Sequence, residues 1–180
     1  RDRARNSEID DSYTIPSCVY LLPPQEYYSF PFNFFFKKFK YKTGGLIGKE
    51  ALLKDGGLLK PRFVDHFKSY LGKNSYQLMG KLGKWSFTAR EVTGVFLKVL
   101  LDAVKKQEKI KPTHLTFCVP VDFYEIYRAQ LKRMAFKLKI RSIKTIDEPV
   151  AAALGYGINI EEPKNILVID FGGGTLDMAL

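Results

Sequence analysis

The sequence predicts an α/β fold, because its second half alternates short apolar strands with longer amphipathic helices. Leu115, Phe117 and Val119 alternate along the chain, a period-two pattern that is typical of a strand. Residues 140–146 predict a second strand, and a helical pattern fills the interval between the two. A strand, a helix and a second strand in this order predict a parallel pair joined by a right-handed crossover.

Helix signals accompany these strands. Thr88 and Glu91 form a capping box before the strongest helix, because each side chain can satisfy an exposed backbone N–H of the other. The apolar residues that follow recur at helical spacing: Val92, Val95, Phe96, Val99 and Ala103. The helix between the two strands has a similar box and stripe, formed by Asp122 and Glu125 and by Phe123, Tyr127, Leu131, Met134 and Leu138. Shorter helices are predicted over 48–53, 63–71 and 150–156, and a third strand over 165–170.

The composition argues against several classes of protein. Of the 180 residues, 46% are hydrophobic, which fits a folded globular protein. No apolar run is long enough to span a bilayer, and no signal-peptide core follows the first residues, so neither membrane insertion nor secretion is expected. The net charge of +10 permits a polyanionic partner, but no nucleic-acid-binding motif accompanies it. We expect Cys18 and Cys118 to be reduced, buried thiols and His66 and His114 to be structural.

Three consecutive glycines follow the third strand, in the sequence Asp170-Phe-Gly-Gly-Gly-Thr175. Because glycine has no Cβ, consecutive glycine N–H groups can approach an anion closely and form a nest around it. The Thr175 hydroxyl would add one donor, and Asp170 would lie where a carboxylate can hold the hydration shell of Mg²⁺. The same residues also fit a hairpin turn in which the glycines serve geometry alone, so both interpretations stay open.

Two charged residues are further candidates. Glu148 follows the second strand, at the edge where α/β proteins place ligands, and its carboxylate could position a nucleophilic water. Asp147 and Glu148 would equally serve as a cap that complements the dipole of the next helix. Lys68 lies in an amphipathic segment, where a lysine is usually part of a solvated face. Residues 44–50 do not form a P-loop, because they lack its spacing and the Ser or Thr after the lysine.

Taken together, these segments resemble the nucleotide-binding domain of the 70-kDa heat-shock chaperone family. Residues 146–157, Ile-Asp-Glu-Pro-Val-Ala-Ala-Ala-Leu-Gly-Tyr-Gly, are similar to the family's Asn-Glu-Pro-Thr-Ala-Ala-Ala helix. Residues 166–177, Ile-Leu-Val-Ile-Asp-Phe-Gly-Gly-Gly-Thr-Leu-Asp, are similar to its Asp-Leu-Gly-Gly-Gly-Thr-Phe-Asp loop. Shorter similarities extend the resemblance over most of residues 13–180. It implies an actin-like ATPase (ribonuclease H-like) fold, of which the chain would hold the first lobe and the start of the second.

The resemblance also implies roles for individual residues. The β- and γ-phosphates of ATP or ADP would be held by Gly172, Gly173, Gly174 and Thr175. Four residues would be catalytic: Lys68 at the γ-phosphate, Glu148 beside the attacking water, Asp170 on Mg²⁺ through water, and Thr175. Pro120 and Arg128 would couple the state of the nucleotide to a substrate-binding domain.

The chain also departs from the family pattern. It has no counterpart of the family's first phosphate loop, of the lobe that clamps adenosine or of the peptide-binding domain, and residues 25–42 match no family element. We therefore expect an internal or truncated part of a divergent member. The expected division is the start of the first-lobe core over 1–18, a divergent peripheral subdomain over 19–86, first-lobe core over 87–161, and the first hairpin of the second lobe over 162–180.

The expected function is ATP binding within a molecular chaperone that couples ATP hydrolysis to protein folding. Nucleotide, unfolded client proteins and co-chaperones are the expected partners, the last two through domains outside this chain, and the expected location is the cytoplasm or an organelle. The alternative is a catalytically inactive interaction protein, which the missing first phosphate loop favours. A sugar kinase of the same superfamily is disfavoured by the Glu-Pro-Val-Ala-Ala-Ala run. For this chain alone, we expect weak ATP binding and little or no turnover.

Overall fold

The computed structural model describes residues 14–23, 43–54, 61–121, 124–157, 165–171 and 176–179. The strands in these ranges are β1 (Val19–Leu22), β2 (Gly44–Ile47), β3 (Phe63–Val64), β4 (Leu78–Leu82), β5 (Trp85–Thr88), β6 (His114–Val119), β7 (Ser142–Asp147), β8 (Val168–Phe171) and β9 (Leu176–Ala179). The helices are α1 (Gly48–Leu53), α2 (Phe67–Lys73), α3 (Ala89–Glu108), α4 (Tyr124–Lys137) and α5 (Glu148–Gly155). None of these helices combines the length and the apolar character that a bilayer crossing requires.

The strands pair in four small sheets within the described ranges. β1 is the central strand of an antiparallel sheet of order β2–β1–β3, and β4 and β5 form an antiparallel hairpin. β6 and β7 are parallel, which confirms the pairing that the strand–helix–strand pattern predicts. β8 and β9 are antiparallel and pack against α5.

The main apolar core lies between α3 and the first strands. The predicted capping box begins α3: the Glu91 N–H donates to the Thr88 hydroxyl at 3.3 Å, and the Thr88 N–H donates to the Glu91 carboxylate at 2.9 Å. The cluster contains Val19, Leu21, Val64, Phe67, Leu82, Phe87, Val92 and Val95. Ala103 of the predicted stripe is exposed, because the last turns of α3 extend beyond this core.

A second core holds α4. Tyr127, Leu131 and Met134 are buried against Leu71 of α2 and Val119 of β6, and Leu138 packs at the margin. The predicted apolar stripe of α4 is therefore confirmed for these residues. Phe123 and the capping residue Asp122 lie outside the described ranges.

The helix predicted over 63–71 is wrong at its start. Phe63 and Val64 form β3, and their backbone pairs with Tyr20 and Val19 of β1. The helix begins only at Phe67, after His66 has taken a left-handed conformation with φ of 53°. The backbone N–H and C=O groups of Phe63 and Val64 are satisfied by a strand that is distant in sequence, and not by helical hydrogen bonds. The local apolar pattern cannot predict that partner.

The strand predicted over 140–146 begins two residues later. Lys139 is left-handed, with φ of 62°, and the Ile140 N–H returns to the Ala135 carbonyl at 3.0 Å. This is the hydrogen bond of a Schellman ending, which takes up residues 138–140 and keeps Ile140 buried against the helix it closes. β7 therefore starts at Ser142.

The two cysteines differ in their surroundings. Cys18 is buried, as predicted, and its thiol donates to the Gly48 carbonyl at 3.3 Å. The prediction of a buried thiol is wrong for Cys118, which is exposed on β6. Cys118 has the opposite parity to Phe117 and Val119, so it lies on the face of β6 that the second core does not cover.

The predicted division of the chain stays a prediction. The main core draws residues from both sides of the predicted boundary at 86, since Phe87 packs with Leu82 and Val64. Residues 1–13 and the aromatic, basic stretch 27–42 lie outside the described ranges.

Two glycines give a matched test of this packing. At Gly80 an added Cβ would come within 2.6 Å of Val64 Cγ2 and 3.3 Å of the Pro61 carbonyl oxygen. At Gly94, within α3, an added Cβ meets nothing within 4 Å. We expect Gly80→Ala to lower the free energy of unfolding by about 1–3 kcal/mol through overpacking, and Gly94→Ala to raise it by ~1 kcal/mol through helix propensity. Urea unfolding with unchanged m-value measures both, and equal stability of the two variants would contradict this account of the core.

Candidate functional site

The parallel register of β6 and β7 brings two predicted site residues to one edge. Val119, the last residue of β6, pairs with Asp147, the last residue of β7. Pro120 and Glu148 therefore leave the sheet side by side, at the carboxyl edge where α/β proteins bind ligands. Both side chains are half-buried.

Glu148 begins α5. Pro149 follows it in the first turn and is fully buried, so the start of the helix is fixed against the sheet. Asp147 has an extended backbone and occupies the N-cap position of α5, but its side chain makes no capping hydrogen bond. Its Oδ1 is buried and has no hydrogen-bond partner in the described part of the chain. An acceptor in this position suits a water or a ligand group at the edge of the sheet.

Tyr127 lies under this edge on α4. Burial disfavours the charged phenolate, and the negative charge of Glu148 disfavours it further; together they raise the pKa of Tyr127 to about 12. The phenol is therefore neutral at physiological pH and within electrostatic reach of the Glu148 carboxylate. Sequence reasoning placed Tyr127 only in the apolar stripe; a tyrosine among Leu and Met was the available sign, since a buried phenol needs polar surroundings for its hydroxyl.

Arg128 follows Tyr127 on α4 and is half-buried. Because α4 starts at Tyr124, shortly after Pro120, Arg128 lies in the first turns of the helix, at the end of the β6–α4–β7 unit that holds Glu148. The structure thus groups Pro120, Arg128 and Glu148 at one end of this unit.

Lys68 is not part of this group. Its side chain is exposed on α2 and makes no hydrogen bond or ion pair within the described ranges. α2 packs against α3 and α4, whereas α5 packs against β6 to β9. Lys68 and Glu148 are therefore on elements with different packing partners.

The predicted phosphate loop, Gly172, Gly173, Gly174 and Thr175, lies outside the described residues. The strands on either side of it are described: Asp170 of β8 pairs with Asp177 of β9, and Phe171 with Leu176. The two strands that flank the predicted loop are thus paired in antiparallel register. From the sequence, Asp170 alone was named as a candidate, and its partner Asp177 was not considered. The available signal was that Asp177 follows the glycine turn at about the same distance as Asp170 precedes it.

Aspartate is a residue type that binds Mg²⁺, which takes one or two carboxylates and completes its coordination with water and phosphate. The described residues contain no group of three or more His, Cys, Asp or Glu side chains able to hold a metal ion.

Comparison with known proteins gives concordant results. The model of the MreB/Mbl protein family matches residues 84–180, more than half of the chain. The chain is 30% identical over 139 residues to the chaperone protein DnaK of Ureaplasma urealyticum, which covers 74% of the chain and 22% of DnaK. It is 34% identical over 99 residues to the chloroplastic stromal 70 kDa heat shock-related protein of Pisum sativum, which covers 55% of the chain and 14% of that protein.

The matched segments contain the elements that build the site. The family model begins just before β5 and includes α3, the parallel pair β6–β7, α5 and the hairpin β8–β9. The chain spans no more than 22% of the length of these curated relatives. The predicted fold class and family are confirmed: the chain belongs to the MreB/Mbl family of actin-like ATPases, and it resembles part of the nucleotide-binding domain of the 70-kDa heat-shock proteins.

Proposed function

We propose that the chain forms one side of the ATP site of a chaperone of the 70-kDa heat-shock type, in which ATP binding and hydrolysis drive protein folding. The observation that carries the proposal is the β6–β7 register, because it sets Glu148 beside Pro120 at the ligand edge of the sheet. Tyr127, which is buried below Glu148, adds an uncharged phenol to this edge.

In this proposal the hairpin β8–β9 supplies the phosphate contacts. Gly172, Gly173, Gly174 and Thr175 would hold the β- and γ-phosphates of ATP or ADP through backbone N–H groups and one hydroxyl. Asp170, with Asp177 opposite it in register, would hold the hydration shell of Mg²⁺. Bound Mg²⁺ would offset the negative charge of the phosphates.

Hydrolysis would rest on Glu148 and Lys68. Glu148 would orient the attacking water and accept its proton. This role suits a carboxylate at the start of a helix whose next residue, Pro149, is buried. Lys68 would contact the γ-phosphate, and its exposed, unpaired ammonium in this part of the chain is available for that contact. Pro120 and Arg128 lie at the same end of the β6–α4–β7 unit. They would transmit the state of the nucleotide to a domain that binds client proteins and to co-chaperones.

The second candidate is a catalytically inactive interaction protein. The different packing partners of α2, which holds Lys68, and α5, which holds Glu148, favour it, because phosphoryl transfer depends on positioning charges around one phosphate. Turnover measurements distinguish the two candidates.

Glycine-loop variants test the nucleotide site. We expect the chain to bind ATP·Mg²⁺ weakly and Gly173→Val to abolish binding, because a branched side chain blocks the approach of backbone N–H groups to phosphate. Gly44→Val is the matched control, since an added Cβ at Gly44 meets nothing within 4 Å. Calorimetric titration measures both. Equal ATP affinity of the Gly173→Val and Gly44→Val proteins would remove the loop from the proposed site.

Replacement of the Glu148 carboxylate by an amide tests the proposed role of Glu148 as the general base. We expect Glu148→Gln to reduce single-turnover ATP hydrolysis ~100-fold or more, because a general base contributes about that much, and to leave ATP affinity within a few-fold. Glu125→Gln, on the exposed first turn of α4, is the control. If the unmodified chain binds ATP but hydrolyses none, the inactive interaction protein is the correct candidate.

The raised pKa of Tyr127 predicts a loss of folding stability at alkaline pH. Its pKa is raised in the folded state, so the stabilising contribution is complete below about pH 10 and is lost as the pH rises through about 12. We expect Tyr127→Phe to flatten the fall of unfolding free energy in this window, whereas Tyr76→Phe, at an exposed position, leaves it unchanged. Urea unfolding at a series of pH values measures the slope. A slope that is the same in all three proteins would show that Tyr127 does not titrate in this way.

A further inference from the structure

A pocket of about 500 Å³ opens between α3 and α4, on the far half of α4 from Glu148. Its floor is apolar: Phe87, Val95 and Met134 line it, and each is less than a tenth exposed. This volume lies within the range of sites that hold small organic molecules. The floor therefore offers an apolar surface with the size of a ligand site.

The rim of the pocket is strongly basic. Arg90 and Lys98 of α3 face it from one side, and Arg133 and Lys137 of α4 from the other. The acidic residue in the lining is Glu91, whose carboxylate already accepts hydrogen bonds from the Thr88 N–H and hydroxyl at 2.9 Å. Among the residues that the structure describes, four cations thus surround an apolar opening, and the carboxylate of Glu91 in its lining is held in the capping box.

The cations differ in how far they are engaged. Lys98 forms an ion pair with Asp102 at 2.8 Å, and Arg90 lies 4.6 Å from the centre of the Tyr76 ring. Arg133 makes no ion pair or hydrogen bond with any residue that the structure describes. Its guanidinium can hold a carboxylate bidentately without giving up an existing contact.

Gly94 keeps the pocket open. It lies in the middle of α3 and in the pocket lining, and nothing is within 4 Å of where its Cβ would be. Glycine is a poor helix former, so local helix stability does not account for it here. What the missing side chain provides is space between the two helices.

We infer that this pocket binds a small organic anion with an apolar body, such as a medium-chain carboxylate. The apolar body lies on Phe87, Val95 and Met134, and the carboxylate meets Arg133 at the rim. Arg133 is six residues beyond Tyr127, about 9 Å along the helix, so this site lies toward the opposite end of α4 from the proposed ATP site. It does not depend on the nucleotide role of the chain.

Calorimetric titration of the full chain with decanoate tests the inference. We expect one site per chain, and at least tenfold weaker binding of decan-1-ol, which keeps the apolar body and lacks the charge. Arg133→Met should weaken decanoate tenfold or more, and Arg133→Lys should restore part of that loss. Lys132→Met is the matched control, because Lys132 is exposed on α4 and does not line the pocket. No decanoate binding, equal affinity for the alcohol, or equal losses in the Arg133→Met and Lys132→Met proteins would overturn the inference.

A filled pocket gives a second, independent test. Gly94→Leu should abolish decanoate binding, because the leucine side chain occupies the space between the helices while favouring α3. A thermal midpoint at or above that of the unmodified chain verifies that the variant folds; Gly94→Ala serves in its place if the midpoint falls, with a smaller loss of affinity expected. Unchanged decanoate affinity in the folded variant would place the ligand elsewhere. Displacement of decanoate by ATP·Mg²⁺ would show that the two sites are one and would also overturn the inference.

Discussion

The register of β6 against β7 is the constraint on which the arrangement of the candidate site depends. Parallel strands cannot be joined by a tight turn, so their pairing requires the crossover that α4 provides. A slip of one residue would turn Phe117 and Val119 away from the core. It would also move Pro120 out of line with Glu148. The same pairing thus fixes the second core, the start of α5 and the carboxyl edge of the sheet.

α4 connects the chemistry at this edge with the rest of the molecule. Its first turns bury Tyr127 and hold Arg128, and its middle contributes Leu131 to the second core. Its last turns face α3 across the basic pocket. One helix therefore has three different environments along its length: a polar edge, a dry core and a charged rim.

Local signals in the sequence predicted the elements whose causes are local. The capping box of Thr88 and Glu91, the short helix at 48–53 and the proline in the first turn of α5 each act within a few residues, and the structure confirms them. β3 was missed because its partner β1 is more than 40 residues away in sequence. Periodicity within 63–71 cannot report such a partner.

Prediction of the candidate site from the sequence has the same limit, because local patterns do not report contacts between residues that are distant in sequence. Its residue types and their spacing were readable, but the pairing of Asp170 with Asp177 and the position of Tyr127 beneath Glu148 arise only when strands and helices come together. The exposure of Cys118 depends on which face of β6 the second core covers. The pocket between α3 and α4 was invisible in sequence for the same reason, since its two walls are some 40 residues apart.

The hairpin β8–β9 has a consequence for the dynamics of the site. A two-stranded hairpin is marginally stable by itself in water, and here its packing within the described ranges is mainly against α5. Its outer residues Leu167, Ile169 and Met178 are each more than half exposed. Backbone amides in this hairpin should therefore exchange with solvent through local opening, at a free energy below that of global unfolding. A ligand bound by the loop that joins these strands would slow that exchange, so amide protection in the hairpin would report occupancy of the site without any measurement of turnover.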